Sequence, residues 1–173
     1  MSLFYPTVYR RRVTDVTVED LQRLGVIGVL LDVDNTLTTH DNPELTAEVV
    51  AWLETVKQAG LRPVIVSNNK EDRVRPFAQR IGLPYQAKAA KPWPRGFKAA
   101  AALLELPPAR CAVIGDQIFT DILGANLAGM SSILLEPIQP ELEQKFIVFK
   151  RRLERVLLRL PRQKRRKAYD YET

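Results

Sequence analysis

The chain is poor in thiol and imidazole chemistry: its 173 residues include one cysteine, Cys111, and one histidine, His40. A single cysteine excludes an intramolecular disulfide and fits a reducing compartment. No run approaches the roughly 20 apolar residues of a transmembrane helix. The segment Met1–Arg12 has no apolar stretch of signal-peptide length. These absences set the expectation of a cytoplasmic protein, or one on the stromal or matrix side of an organelle, either soluble or peripheral on a membrane. Internal repeats are missing, and so is the aromatic stacking motif of common single-strand nucleic-acid binders.

What is present suits one ordinary domain with a proper core: 46% of residues are hydrophobic. The net charge of +6 is unevenly placed. Arg10, Arg11 and Arg12 cluster near the start, and residues 150–167 are dense in Arg and Lys, with Glu154 the only acid. Such a tail suits an anionic partner (nucleic acid, acidic lipid or an acidic protein) or simply serves solubility.

Hydrophobic periodicity predicts short strands alternating with helices. Thr14–Leu24 reads as an opening helix with Thr17 and Asp20 as a capping pair and Gly25 as its stop. Val26–Leu31 is the first strand. Leu45–Ala59 is an amphipathic helix with Val49, Val50, Leu53 and Val56 at helical spacing. Strands follow at Leu61–Val66, Leu83–Ala87, Cys111–Ile114 and Ser131–Leu135, and helices at Glu71–Ile81, Pro94–Leu106 and Phe119–Ala128. This alternation predicts a parallel α/β sheet. Ligands in such sheets sit beyond the carboxyl ends of the strands. The polar residues of interest all follow strands: Asp32 and Asp34, Ser67, Lys91, then Asp116 and Asp121.

The stretch Val29–Thr38 organises the rest. An apolar run ends in Asp32-Val33-Asp34-Asn35-Thr36, whose two carboxylates share a face if the strand persists. The Asp-Asn-Thr run would instead bend the chain, presenting backbone N–H groups beside them, or merely end the strand. Phosphate-ester hydrolysis needs a nucleophile, a general acid and positive charge on the equatorial oxygens. Asp32 can attack phosphorus. Asp34 can protonate the leaving oxygen and then deprotonate water. Asp116, with Asp32 and a backbone carbonyl near Asp34, offers hard oxygen ligands suited to Mg²⁺, and Asp121 can support the metal. Ser67 and Asn68 can hydrogen-bond phosphate, and Lys91 can neutralise it. Lys88 is a nearby alternative. Ser67 would also serve as a helix N-cap, Asp121 as a helix N-terminal carboxylate, and His40 as a solvated loop residue near the nucleophile. Trp93 could border the site or simply pack.

Four stretches, Asp32–Thr36, Val66-Ser67-Asn68, Lys91-Pro92 and Gly115–Asp121, together resemble the motifs of the haloacid dehalogenase (HAD) superfamily, in that family's order. The resemblance covers Gly25 to Pro137 and implies a Rossmann-like three-layer sandwich with a parallel sheet. It assigns nucleophile to Asp32, and the second Asp at Asp34 favours phosphatase chemistry. Short spacings between motifs leave no room for a cap domain, so an open site is expected. More narrowly, Asp-Val-Asp-Asn-Thr-Leu, Ser-Asn-Asn and Gly-Asp-Gln-Ile-Phe-Thr-Asp look like the YqeG-type class III phosphatases, similar to organellar phosphatidylglycerophosphate phosphatases. That implies a Mg²⁺-dependent enzyme making phosphatidylglycerol.

The expected organisation is an N-terminal segment, 1–24, a phosphatase core, 25–137, and a basic amphipathic segment, 138–173. In the last, Leu142, Phe146, Phe149, Leu153, Val156, Leu157 and Leu160 recur at three- and four-residue steps, with Lys145, Arg152, Arg155 and Arg159 largely opposite. Such a helix can lie on an anionic bilayer, or pack on the core or a second subunit. Two other readings remain: a phosphatase for a soluble sugar phosphate, nucleotide, phosphoprotein or nucleic-acid end, and a nucleic-acid or ribosome-associated binding protein.

Overall fold

Six parallel strands form one sheet in the computed structural model, which describes residues 3–39, 42 and 44–139. In chain order they are β1 (Val8–Arg10), β2 (Gly28–Leu31), β3 (Arg62–Val66), β4 (Tyr85–Gln86), β5 (Cys111–Gly115) and β6 (Ser131–Leu135). The spatial order is β1-β6-β5-β2-β3-β4. The helices are α1 (Val18–Arg23), α2 (Ala47–Gln58), α3 (Glu71–Arg80), α4 (Pro94–Leu103) and α5 (Leu123–Ala128).

The central strands are buried on both faces, which is why they read as continuous apolar runs. Side chains alternate between faces. Val29, Leu31, Ile65 and Ile114 pack with Leu53 and Val56 of α2 and Phe77 of α3. Leu30, Val64 and Val113 pack with Phe97 and Ala100 of α4 and Ala125 of α5. The result is the expected three-layer α/β sandwich. Among the described residues, α2 and its flanking loops alone separate β2 from β3, and only α3 lies between β3 and β4, so no cap domain is present there.

Several elements depart from the sequence reading. The strand β1 was not expected; it pairs with β6 on the sheet edge. The single helix expected at Thr14–Leu24 is a 3-10 turn, Val13–Asp15, followed by α1. The Thr17–Asp20 capping box is present and starts α1 at Val18. A π-helical turn, Ile118–Ile122, precedes a shortened α5. His40 and the basic segment carrying Lys145, Arg152, Arg155 and Arg159 lie outside the described residues. No described helix is long and apolar enough to cross a membrane.

Candidate active site

The chain reverses direction across the sheet where β2 lies between β5 and β3. This is the switch point at which parallel sheets open a crevice for ligands. Asp32 follows β2 directly, its N–H still donating to Ile114 O of β5 at 3.0 Å. Asp116 follows β5, so adjacent strands deliver two carboxylates side by side.

Asp121 arrives from the π turn. Its carboxylate accepts the Gln117 N–H at 3.1 Å. Gly115 makes room for it: a Cβ there would lie 2.4 Å from the Asp121 Cγ. One carboxylate oxygen from each of Asp32, Asp116 and Asp121 lies within 4.8 Å of the others, and all three residues are buried.

Lys91 enters this acidic cluster from the loop after β4. Its ammonium donates to Asp32 Oδ1 at 2.5 Å and to Asp121 Oδ1 at 2.7 Å. Burial alone would lower the Lys91 pKa, but Asp121 and Asp32 outweigh it and hold the ammonium above its ordinary value. Burial pushes the Asp32 carboxyl up to about 7, against the lowering effect of Lys91 and with further upward pressure from Asp121 and Asp34. Three clustered carboxylates facing one ammonium make a hard, anionic oxygen donor set, which fits a small divalent cation. The sequence alternative Lys88 is exposed, with its N–H on the Asn69 carbonyl.

Asp34 does not continue the strand. Residues 34–38 fold into a tight loop in which the Thr36, Leu37 and Thr38 N–H groups all approach Val33 O, and Asn35 takes a left-handed φ of 60°. Asn tolerates that conformation better than most residues. The Asp34 carboxylate is not one of the three clustered carboxylates and takes its own partners. Asn69 Nδ2 donates to one of its oxygens at 2.6 Å, and Arg73 Nη2 donates to the other at 2.7 Å.

The residues expected to bind phosphate separate into two roles. Ser67 is buried at the end of β3, and its Oγ accepts the Asn69 N–H at 3.1 Å. It does not cap α3, whose N-cap is Lys70. Asn68 turns its amide onto the Lys91 backbone: Oδ1 accepts the Lys91 N–H at 2.6 Å, and Nδ2 donates to the Lys91 carbonyl at 3.2 Å. Its side chain therefore clamps the loop that carries Lys91. Trp93 lies two residues beyond Lys91, strongly exposed. Sequence reasoning missed Arg73, since an Arg in the first turn of a helix carries no signal of its own.

A family model described as haloacid dehalogenase-like hydrolase matches residues 7–129. A Bacillus subtilis protein described as probable phosphatase YqeG is 38% identical over 158 residues, covering 91% of each chain. Among solved structures, an uncharacterized protein from Listeria monocytogenes superposes with a TM-score of 0.55 at 21% identity, covering 69% of this chain and 85% of that one. The cobalt-bound deoxy-D-mannose-octulosonate 8-phosphate phosphatase of Haemophilus influenzae superposes at 0.51 and 12% identity, covering 65% and 69%. At those identities the structural likeness speaks for the fold, whereas the family match spans most of the chain and includes every carboxylate of the site; the chain belongs to the haloacid dehalogenase-like hydrolases.

Proposed function

We propose that this chain is a Mg²⁺-dependent phosphatase acting through an aspartyl-phosphate, and that it converts phosphatidylglycerophosphate to phosphatidylglycerol at a membrane surface. One observation carries the chemistry: Asp32 is buried against Lys91 among further carboxylates, while Asp34 stands apart with different partners. Two carboxylates of one loop thus meet different environments, as separate nucleophile and acid–base roles require.

In the first step an Asp32 oxygen attacks phosphorus and the P–O bond to the alcohol breaks, with Asp34 giving its proton to the departing oxygen. In the second step Asp34 takes a proton from water, the oxygen attacks phosphorus, and the P–O bond to Asp32 breaks. Inorganic phosphate leaves and both carboxyl groups return to their starting states. Lys91 restrains Asp32 and offsets charge on the phosphoryl oxygens, and Ser67 lines a cleft with Asp34. Mg²⁺ held by Asp32, Asp116 and Asp121 would supply the positive charge that lets a carboxylate approach a phosphate dianion.

The lipid assignment draws support from the YqeG-type motifs and from the basic C-terminal sequence. An uncapped site suits a substrate presented on a surface. The test is phosphate release from phosphatidylglycerophosphate in mixed vesicles, with Mg²⁺ and with chelator, for wild type and Asp32→Asn. Release that requires both the metal and Asp32 is expected. Hydrolysis of an aryl phosphate under those controls, with the lipid untouched, would leave the chemistry standing and point to a soluble phosphomonoester.

A further inference from the structure

We propose that Arg73 is a specificity residue that reads a second anionic group on the alcohol side of the substrate. The inference rests on the phosphatase reading and on Asp34 as the group that protonates the leaving oxygen.

Among the described residues, the site has two cations with distinct positions. Lys91 is buried and engaged with Asp32 and Asp121, at the end where the phosphoryl group is transferred. Arg73 comes from the first turn of α3 and donates to Asp34 at 2.7 Å, with its side chain 42% exposed. The cleft between Asp34 and Ser67 is lined by Thr38, Thr39, Asn69 and Arg73, over apolar Val74 and Phe77. Arg73 is the only cation among its described lining residues.

A proton passes from Asp34 to the leaving oxygen only across hydrogen-bond distance. The alcohol must therefore lie against Asp34, beside the guanidinium that shares its carboxylate. The guanidinium is a planar fork of five donors, so it can hold Asp34 and a substrate oxyanion together. A phosphate or phosphodiester a few bonds from the ester oxygen would meet it. The substrate class is then a phosphomonoester whose alcohol carries a second phosphate. Phosphatidylglycerophosphate is one lipid member, and glycerol 1,3-bisphosphate is a soluble one.

The test compares glycerol 1,3-bisphosphate with glycerol 3-phosphate, which lacks only the second phosphate. Rates are measured with Mg²⁺ for wild type, Arg73→Gln and Arg73→Lys, and thermal unfolding is followed for each. Wild type is expected to favour the bisphosphate. Arg73→Gln should cut that preference, as a ratio of kcat/KM, by about tenfold, the loss of one charge-assisted hydrogen bond. The change in preference should fall on KM, and Arg73→Lys should restore part of it. The ratio removes any equal effect on both probes through Asp34. A preference unchanged in Arg73→Gln, or absent from wild type, would overturn the inference. If the preference behaves as expected while vesicle phosphatidylglycerophosphate is untouched, Arg73 keeps its role and the lipid reading falls. If neither soluble probe is cleaved while an aryl phosphate is, this inference falls alone; if no phosphomonoester tested is cleaved, the aryl phosphate and the lipid included, the phosphatase reading falls and this inference with it.

Discussion

Asp32 is the residue on which charge, burial and chemistry meet. Its carboxyl is pushed up to about 7 because burial penalises the anion more than Lys91 favours it. In the unfolded chain it returns to 3.8. A group whose folded pKa is raised stabilises fully below the unfolded value and loses that contribution as pH rises through the folded one. In chelator, wild type should therefore lose stability relative to Asp32→Asn between about pH 4 and pH 7, with the difference levelling above. Denaturation midpoints at pH 5, 6 and 7.5 would show it, and parallel curves would refute it. Added Mg²⁺ should stabilise wild type more at pH 7.5 than at pH 5, since cation binding competes with the proton. The aspartates were legible in sequence because each follows a strand within a characteristic short run. Asn68 and Arg73 were not. Their roles are set by partners 23 and 39 residues away in the chain, and no local pattern encodes such a contact.

Elements with strong apolar signal emerged close to their observed bounds; β6 spans Ser131–Leu135 as read, and β3 differs by one residue. Failures came where the signal is short or the hydrogen bonding irregular. The strand β1 has three residues, two of them the half-buried Tyr9 and Arg10, so alternation cannot be recognised. The π turn repeats at neither helix nor strand period, yet it aims Asp121 at Lys91. Helix α4 shows how packing between elements serves the site. Gly96 lies against the β4–α4 loop, where a Cβ would stand 2.1 Å from the Ala89 carbonyl oxygen. Alanine favours a helix over glycine by about 1 kcal/mol. Here that gain is opposed by a backbone contact that cannot yield without moving the loop. Gly96→Ala should cost about 1–3 kcal/mol of stability, the usual range for overpacking. It should also lower turnover, because Ala89 lies two residues before Lys91. Chemical denaturation and aryl phosphate hydrolysis would check both, and a more stable, fully active variant would contradict the packing argument.

At the scale of the whole molecule, the loop that follows β2 and the end of the described chain are joined. Ile138 N–H donates to the Asn35 carbonyl at 3.2 Å, and Gln139 N–H donates to Asn35 Oδ1 at 3.2 Å. The last described residues are thus held beside Asn35, the residue that follows Asp34, and the sequence continues for 34 residues beyond Gln139. Its sequence combines apolar residues at three- and four-residue steps with Lys145, Arg152, Arg155 and Arg159. Under the proposed function, this basic amphipathic sequence would bring the phosphatase to an anionic bilayer. Each basic residue at such a surface contributes about 1 kcal/mol, an attraction weakened by salt. Truncation after Pro140 retains both residues that bond Asn35, so the loop after β2 should keep its tether. The truncated chain should lose at least tenfold in phosphatidylglycerophosphate hydrolysis on anionic vesicles, the effect of about 1.4 kcal/mol of lost surface attraction. Its loss on a soluble aryl phosphate should be much smaller. Raising the salt concentration should slow wild type on vesicles and narrow the gap between the two chains. Equal losses on both substrates, or a gap insensitive to salt, would instead assign the C-terminal sequence to packing against protein.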